Sequence, residues 1–296
     1  MSVLNVLVPI FGVILFGWIL QSLSLMPARL LKLINDYVYY VGITVITFVS
    51  LHDTGWSILL DPEVYILSLV PLLAVIILAL AVAKLLRLKD GMFALFVICS
   101  FYGNTGYIGF PLNVAVQGSG SLGVAAFIST IHTLVVFTLG IYLLKRYTGS
   151  KAEAGKLHKL PVLWAALLGV LFSWVVIPDL IRLPLSLIAD STSPLALLAT
   201  GAMIYGANIR SNLKEIGAIS AIKLVALPAM VVLTGLATQG SGLIYRTSLL
   251  EAATPVAVTN SVLAAQFKTR DDFASEAIVI STALFAVTLT VILIIL

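Results

Sequence analysis

Two polar segments interrupt long apolar runs, at residues 100–113 (SFYGNTGYIGFPLN) and 249–267 (LLEAATPVAVTNSVLAAQF). Each contains a proline, Pro111 in the first and Pro255 in the second. Proline lacks an amide hydrogen and clashes with the preceding turn, so each segment is predicted to break a helix and to free backbone carbonyl and amide groups. Free amides at a helix start attract a carboxylate, and loose carbonyls attract a cation. The two segments therefore predict a site for the carboxylate of a small organic anion, beside which the carbonyls can hold a cation.

Side chains beside the two predicted breaks can supply further hydrogen-bond donors to that anion. The alternative for each Asn or Thr is that it satisfies the backbone groups freed by its own break, and both roles can coexist. The predicted substrate-binding residues are Asn104, Thr105, Pro111, Pro255, Thr259 and Asn260.

Three ionisable residues fall inside apolar runs and are the candidates for ion coupling: Glu251, Lys223 and His132. A charge near the bilayer centre costs roughly 2.5 to 3.5 kcal/mol on insertion scales, so such residues usually face a cavity or a partner. Glu251 is predicted to carry a proton, to ligate Na⁺, or to pair with Lys223 or Arg246. A structural ion pair is the alternative for Glu251, and a hydrogen-bonded interior histidine is the alternative for His132.

The sequence contains no recognisable motif of an enzyme or of a metal site. The single cysteine, Cys99, excludes a disulfide framework and a cysteine zinc site, and its apolar surroundings predict a buried, inert thiol. Since HExxH, G-x-S-x-G and P-loop motifs are all absent from the sequence, we predict no catalytic residue, no metal site and no cofactor. The chain is not expected to be an enzyme.

The elements that position these residues are predicted to be transmembrane helices. Hydrophobic residues make up 60% of the 296 positions, charged residues 10%, and the mean hydropathy is +1.13, whereas about a quarter of residues in soluble domains are charged. The net charge of +4 does not arise from one clustered face, so nucleic acid is not an expected partner. With about 20 residues per span, ten spans are predicted, at residues 4–20, 33–51, 64–84, 91–116, 122–144, 162–178, 194–209, 217–238, 243–267 and 274–296.

Positive charge in the connections orients these spans. All but three of the 17 Lys and Arg residues fall in alternate connections, and the exceptions are Arg182, Arg246 and Lys223. Positive residues of short loops stay in the cytoplasm, so both termini are predicted to be external. The first span has no preceding Lys or Arg and no following cleavage site, so we expect it to be retained.

The hydrophilic stretch at residues 145–160 divides the predicted spans into five and five. Because five is odd, the second set must enter the membrane in the opposite orientation, which is typical of inverted repeats in secondary transporters. The predicted organisation is a first repeat at residues 1–146, a cytoplasmic linker at 147–160 and a second repeat at 161–296. The matched breaks in spans 4 and 9 favour a binding site there, although membrane helices also tolerate Gly and Pro as simple kinks.

The segment GNTGYIGFPL resembles the signature of the auxin efflux carrier family of ten-span transporters. Further landmarks follow in the expected order over nearly the whole chain: VLVPIFGVILFGWILQSLSLMP, LPVLWAALLGVLFS, SPLALLATGAMI, AIKLVALP and ATPVAV. The resemblance implies a scaffold of spans 1, 2, 6 and 7 and a mobile transport unit of spans 3–5 and 8–10. It also implies that Pro111 and Pro255 are the prolines of two crossed helices, and that Asn104 helps to hold the substrate carboxylate.

The sequence departs from the plant members of that family at two places. Thr44 stands where many members have a proline, and the long plant loop is reduced to residues 145–160, so auxin itself is not indicated. The segment YRTSLLEAATP also resembles sodium and bile-acid symporters, which keeps Na⁺ coupling open for Glu251.

We therefore predict a secondary transporter of a small carboxylate, working by an elevator-like alternating access in a bacterial plasma membrane. A sodium-coupled bile-acid-type symporter and a non-transporting membrane sensor are the alternatives. The expected partners are the organic anion, the lipid bilayer and a second copy of the chain, bound through the scaffold spans.

Overall fold

The computed structural model describes residues 3–150, 157–205 and 212–296. Residues 151–156 of the predicted linker, and the predicted cytoplasmic cation Arg210, lie outside these ranges. The helices in the described part are α1 (Val3–Ser22), α2 (Ala28–Asp36), α3 (Ile43–Thr54), α4 (Trp56–Leu60), α5 (Pro62–Leu85), α6 (Asp90–Phe101), α7 (Phe110–Gln117), α8 (Leu122–Val135), α9 (Ile141–Thr148), α10 (Pro161–Leu171), α11 (Asp179–Ile204), α12 (Leu213–Ala221), α13 (Leu227–Thr238), α14 (Gly242–Ala253), α15 (Thr259–Gln266) and α16 (Asp271–Ile295).

Several neighbouring helices join into longer ones through π-helical segments, in which the turn is wider by one residue. These segments are Tyr37–Gly42, Thr105–Gly109, Val136–Gly140 and Ile222–Ala226. Seven of the resulting helices are long and apolar enough to cross a membrane, and α6 and α10 are shorter apolar helices. The seven are Val3–Ser22, Ala28–Thr54, Pro62–Leu85, Ser119–Thr148, Asp179–Ile204, Leu213–Thr238 and Asp271–Ile295. The prediction of an all-α, multi-pass membrane protein is confirmed.

Two predicted spans have other limits in the structure. In the span predicted at 162–178, helix α10 already ends at Leu171 after 11 residues, and the chain continues as a turn. The span predicted at 194–209 begins 15 residues too late, because α11 starts at Asp179 and has Pro184 and Pro194 in its interior. An interior proline removes a helical hydrogen bond, but membrane helices tolerate this where neighbours satisfy the freed groups.

The chain divides into two compact units, and the first is Met1–Pro62, Thr105–Thr130 and His158–Gly206. Its helices approach closely through glycines. A Cβ at Gly201 would overlap the backbone of Ile14 in α1, and a Cβ at Gly169 in α10 would lie 2.7 Å from the carbonyl oxygen of Phe48 in α3. Small residues at such crossings permit the backbone contact that packs helices in membranes. The first unit is therefore held by α1 against α11 and by α3 against α10.

The second unit is Glu63–Asn104, Ile131–Leu157 and Ala207–Leu296. Its central helix is α6, in which Phe93, Phe96, Ile98 and Phe101 are all at most 3% exposed. A helix that is apolar on every side is stable only when other elements cover it on every side. This burial fixes the C-terminal end of α6 inside the second unit, where the candidate site begins.

Candidate functional site

Two helices of the second unit stop in its interior, and the backbone segments that follow them pair. α6 ends at Phe101 and α14 ends at Ala253. Beyond them, Gly103 and Val256 form an antiparallel bridge, which we call the crossing. The Asn104 amide donates to the Pro255 carbonyl oxygen at 2.8 Å, and the Ala257 amide donates to the Tyr102 carbonyl oxygen at 3.1 Å. The backbone amide and carbonyl groups that one interruption frees thus bond to groups of the other interruption. Such pairing is required in a membrane interior, where no water can satisfy them.

The interruption in the predicted fourth span lies at residues 102–104 and not at Pro111. Pro111 occupies the first turn of α7, after the π-helical segment Thr105–Gly109. Because that segment runs directly into α7, Pro111 lies inside a continuous helix, which membrane helices tolerate where neighbours satisfy the freed backbone group. Pro255, in contrast, lies in the extended segment after α14, where its carbonyl accepts the Asn104 amide. The expectation that both prolines sit at the breaks holds for Pro255 alone.

The Asn260 side chain satisfies one of the backbone groups that the interruptions free. Its Nδ2 donates to the Tyr102 carbonyl oxygen at 3.4 Å, and its side chain also lies beside the buried Cys99 thiol. Thr259 lies beside the Tyr102 hydroxyl, at the start of α15. The amides of Asn260 and Ser261 already donate to the carbonyls of Ala257 and Val258, so the start of α15 offers fewer free donors than the sequence predicts.

Asn104 differs from Asn260 in what its side chain contacts. It is 5% exposed, and its Nδ2 has no hydrogen-bond partner in the described part of the chain. An amide donor that is buried without a partner costs about 1 to 3 kcal/mol. Asn104 is therefore the predicted binding residue whose donor a ligand can best satisfy. Thr105 and Pro111 belong to the first unit, where the Thr105 hydroxyl is 2.7 Å from that of Ser129.

Lys223 brings a positive charge to the crossing. It lies in the π-helical segment Ile222–Ala226 and is 0% exposed, and its Nζ donates to the Ala252 carbonyl oxygen at 2.6 Å. A Cβ added at Gly103 would lie 2.8 Å from that Nζ and would also overlap the Thr254 hydroxyl. The last carbonyls of a helix carry partial negative charge, so an ammonium at the end of α14 is favourably placed.

Glu251 and His132 complete this group of buried polar side chains. Glu251 is also 0% exposed and interacts electrostatically with Lys223. His132 is 3% exposed, its Nδ1 has no hydrogen-bond partner among the described residues, and it is near enough to feel the charge of Lys223. Arg246, the other predicted partner of Glu251, is exposed. Of the two partners offered by the sequence, the structure brings Lys223 to Glu251.

The sequence did not predict the roles of two residues that contact the crossing or form it, Gly103 and Ser281. Gly103 was present in the segment GNTG, but its close approach to Lys223 depends on a residue far away in the sequence. Ser281 of α16 accepts the Val256 amide at 3.1 Å and so supports the second interruption from a third helix. A lone serine in an apolar helix gives no signal of such a role.

A multi-pass fold whose interrupted helices pair in its interior, with a buried lysine and glutamate beside them, is typical of secondary transporters. The sequence profile of the family described as "Membrane transport protein" matches residues 2–156 and 154–293, and the chain belongs to this family. This membership confirms the resemblance to the auxin efflux carrier family. The protein is a membrane transporter.

Relatives of similar length carry transporter names. An uncharacterized transporter of Methanothermobacter thermautotrophicus is 28% identical over 97% of this chain and 95% of its own length. A Rhizobium meliloti protein named "Putative malonate transporter" is 23% identical over 98% of this chain and 94% of its own. An uncharacterized transporter of Methanocaldococcus jannaschii is 22% identical over 94% of both chains. The similarity thus extends over nearly the full length of this chain and of each relative.

Proposed function

We propose that the protein is a secondary transporter of a small organic anion, a mono- or dicarboxylate, and that the anion binds at the crossing. The observation that carries this proposal is the pairing of two interrupted helices beside Asn104, whose amide donor is buried without a partner among the described residues. A carboxylate is a fitting acceptor for it, because hydrogen bonds to charged groups are stronger than neutral ones. The name of the Rhizobium meliloti relative supports a short dicarboxylate such as malonate as the first compound to test.

The arrangement in the membrane that accompanies this proposal has ten spans in a five-plus-five inverted repeat. The seven long helices, the short helix α10 and the two interrupted helices support that number. We further propose that spans 3–5 and 8–10 move against a scaffold of spans 1, 2, 6 and 7 in an elevator-like alternating access. A homodimer through the scaffold spans remains a prediction, which the mass of the detergent-solubilised protein tests.

Asn104→Ala provides the test of the binding site. Since a hydrogen bond to a charged group is worth about 1.5 to 3 kcal/mol, the variant should bind its anion at least about tenfold more weakly. The measurement is a thermal-shift titration with malonate and other organic acids, followed by counterflow in liposomes. Asn35→Ala is the matched control, because the Asn35 amide donates within its own helix to the Leu31 carbonyl.

Four outcomes of that experiment would count against the proposal. Binding unchanged in a folded Asn104→Ala protein would place the carboxylate elsewhere. Binding without counterflow in the wild type would favour a sensor, and binding that requires sodium would favour a bile-acid-type symporter. If the protein transports a cation or a sugar but no organic acid, an organic anion is excluded as its substrate.

The orientation is a separate proposal, with residues 145–160 in the cytoplasm and both termini external in a bacterial plasma membrane. It rests on the distribution of Lys and Arg among the connections. A cysteine placed at Ser150 should react with an impermeant thiol reagent only after the cells are opened. Labelling of intact cells at this position would reverse the orientation.

A further inference from the structure

We propose that the Lys223 ammonium is a built-in cation at the crossing, filling the position that a bound Na⁺ would otherwise take, so that the transporter works without sodium. This inference concerns the coupling of the proposed carboxylate site and rests on that function for its consequence in transport. Its chemical basis, the occupancy of a cation position by a side chain, can be tested on the purified protein alone.

The surroundings of the amine are those of a cation site. The Ala252 carbonyl oxygen accepts from Nζ at 2.6 Å, and this carbonyl belongs to the last turn of α14, where carbonyls lack helical partners. The Thr254 hydroxyl and the Lys223 amine both lie against Gly103, and the hydroxyl donates to the Glu251 carbonyl oxygen at 2.7 Å. Carbonyl, hydroxyl and carboxylate oxygens are the donors that hard cations bind in proteins.

Charge balance gives a second argument. Glu251 and Lys223 are both fully buried and interact electrostatically. A buried carboxylate that stays ionised needs a compensating cation beside it. Lys223 supplies that charge from the protein itself.

Space gives the third argument. A Cβ at Gly103 would lie 2.6 Å from Cε and 2.8 Å from Nζ of Lys223, so the lysine side chain already fills the volume beside the crossing. A sodium ion and the ammonium would compete for the same oxygen atoms and would repel each other. Removing the amine should therefore open a position that sodium can enter, while the oxygen donors stay in place.

The experiment compares thermal unfolding of the detergent-solubilised protein in NaCl and in choline chloride of equal ionic strength. The wild type should have the same Tm in both salts. Lys223→Ala should be less stable in choline chloride and should regain about 2 to 4 °C in sodium, the shift for roughly tenfold excess over Kd in a chain of this size. Lys223→Ala combined with Glu251→Gln should lose the sodium effect, because the carboxylate that attracts the ion is gone.

Lys214→Ala is the matched control, since Lys214 is an exposed lysine near the start of α12, the helix that leads to Lys223. It should respond to sodium like the wild type.

Two results would overturn the inference. One is a wild type that sodium stabilises, with that stabilisation lost in Glu251→Gln. The other is a folded Lys223→Ala protein whose Tm is the same in both salts. If Lys223→Ala does not fold, the wild type and Glu251→Gln still decide between a resident amine and a bound ion. Malonate counterflow is measured separately. If the carboxylate proposal fails there, the effect of sodium on Tm can still be interpreted.

Discussion

The two interruptions that pair at the crossing have the same backbone arrangement but different local sequences. The second contains Pro255, which by itself disfavours a continuous helix. The first, at residues 102–104, has no proline, and the nearest one, Pro111, lies inside a helix. The first interruption is marked instead by the bridge of Gly103 to Val256 and by the two backbone hydrogen bonds beside it. We therefore infer that pairing across the crossing, rather than proline, holds both helices open.

The largest effect should come from Gly103→Ala, because the first interruption depends on close contact at this residue. A methyl group there would overlap the Thr254 hydroxyl and press on the buried Lys223 side chain. Overpacking of a tight interior typically costs about 1 to 3 kcal/mol, and we expect the upper end of that range. The measurement is the Tm of the purified protein.

Gly12→Ala is the matched glycine control for that experiment. An added Cβ at Gly12 meets no heavy atom of the described residues within 4 Å, and Gly12 lies within α1. This control should melt at or slightly above the wild-type temperature, because alanine favours a helix over glycine. Equal melting temperatures for Gly103→Ala and the wild type would remove the argument that close contact at Gly103 holds the first interruption.

A smaller effect is expected for Ser281→Ala, which acts on the second interruption only. The Val256 amide would lose its acceptor inside the protein, and an unsatisfied buried amide costs about 1 to 2 kcal/mol after partial relaxation. Ser100→Ala is the control, because the buried Ser100 hydroxyl donates to the Phe96 carbonyl within α6. Hydrogen exchange of the Val256 amide should quicken in Ser281→Ala. An unaltered exchange rate there would mean that Ser281 does not support the crossing.

The smallest effects are expected from the two prolines, and this pair tests the comparison directly. Pro111→Ala should cost only about 0.4 to 1 kcal/mol, through greater freedom of the unfolded chain. If pairing holds both interruptions, Pro255→Ala should cost no more than that, since its carbonyl can still accept the Asn104 amide. Tm values of the two variants suffice. A much larger loss for Pro255→Ala would show that the second interruption is set by its own proline.

Much of the architecture was predictable because helices that cross a membrane need long apolar runs with few charges. Apolar runs locate the long helices, and rare charges inside them single out Lys223 and Glu251. The start of α11 and the place of Pro111 were not predictable, since each depends on neighbours that satisfy backbone groups. The same holds for Ser281, whose role depends on α16 packing beside the second interruption.

The π-helical segment Ile222–Ala226, which carries Lys223, has a consequence for how this chain aligns with its relatives. An α-helix turns about 100° per residue, so one extra residue rotates α12 relative to α13 by about that angle. A relative that lacks the extra residue would keep both helix faces buried only if its alignment carried a one-residue gap here. Gaps of one residue are therefore expected to collect at residues 222–226, and a relative with such a gap is expected to present a different side chain to its crossing.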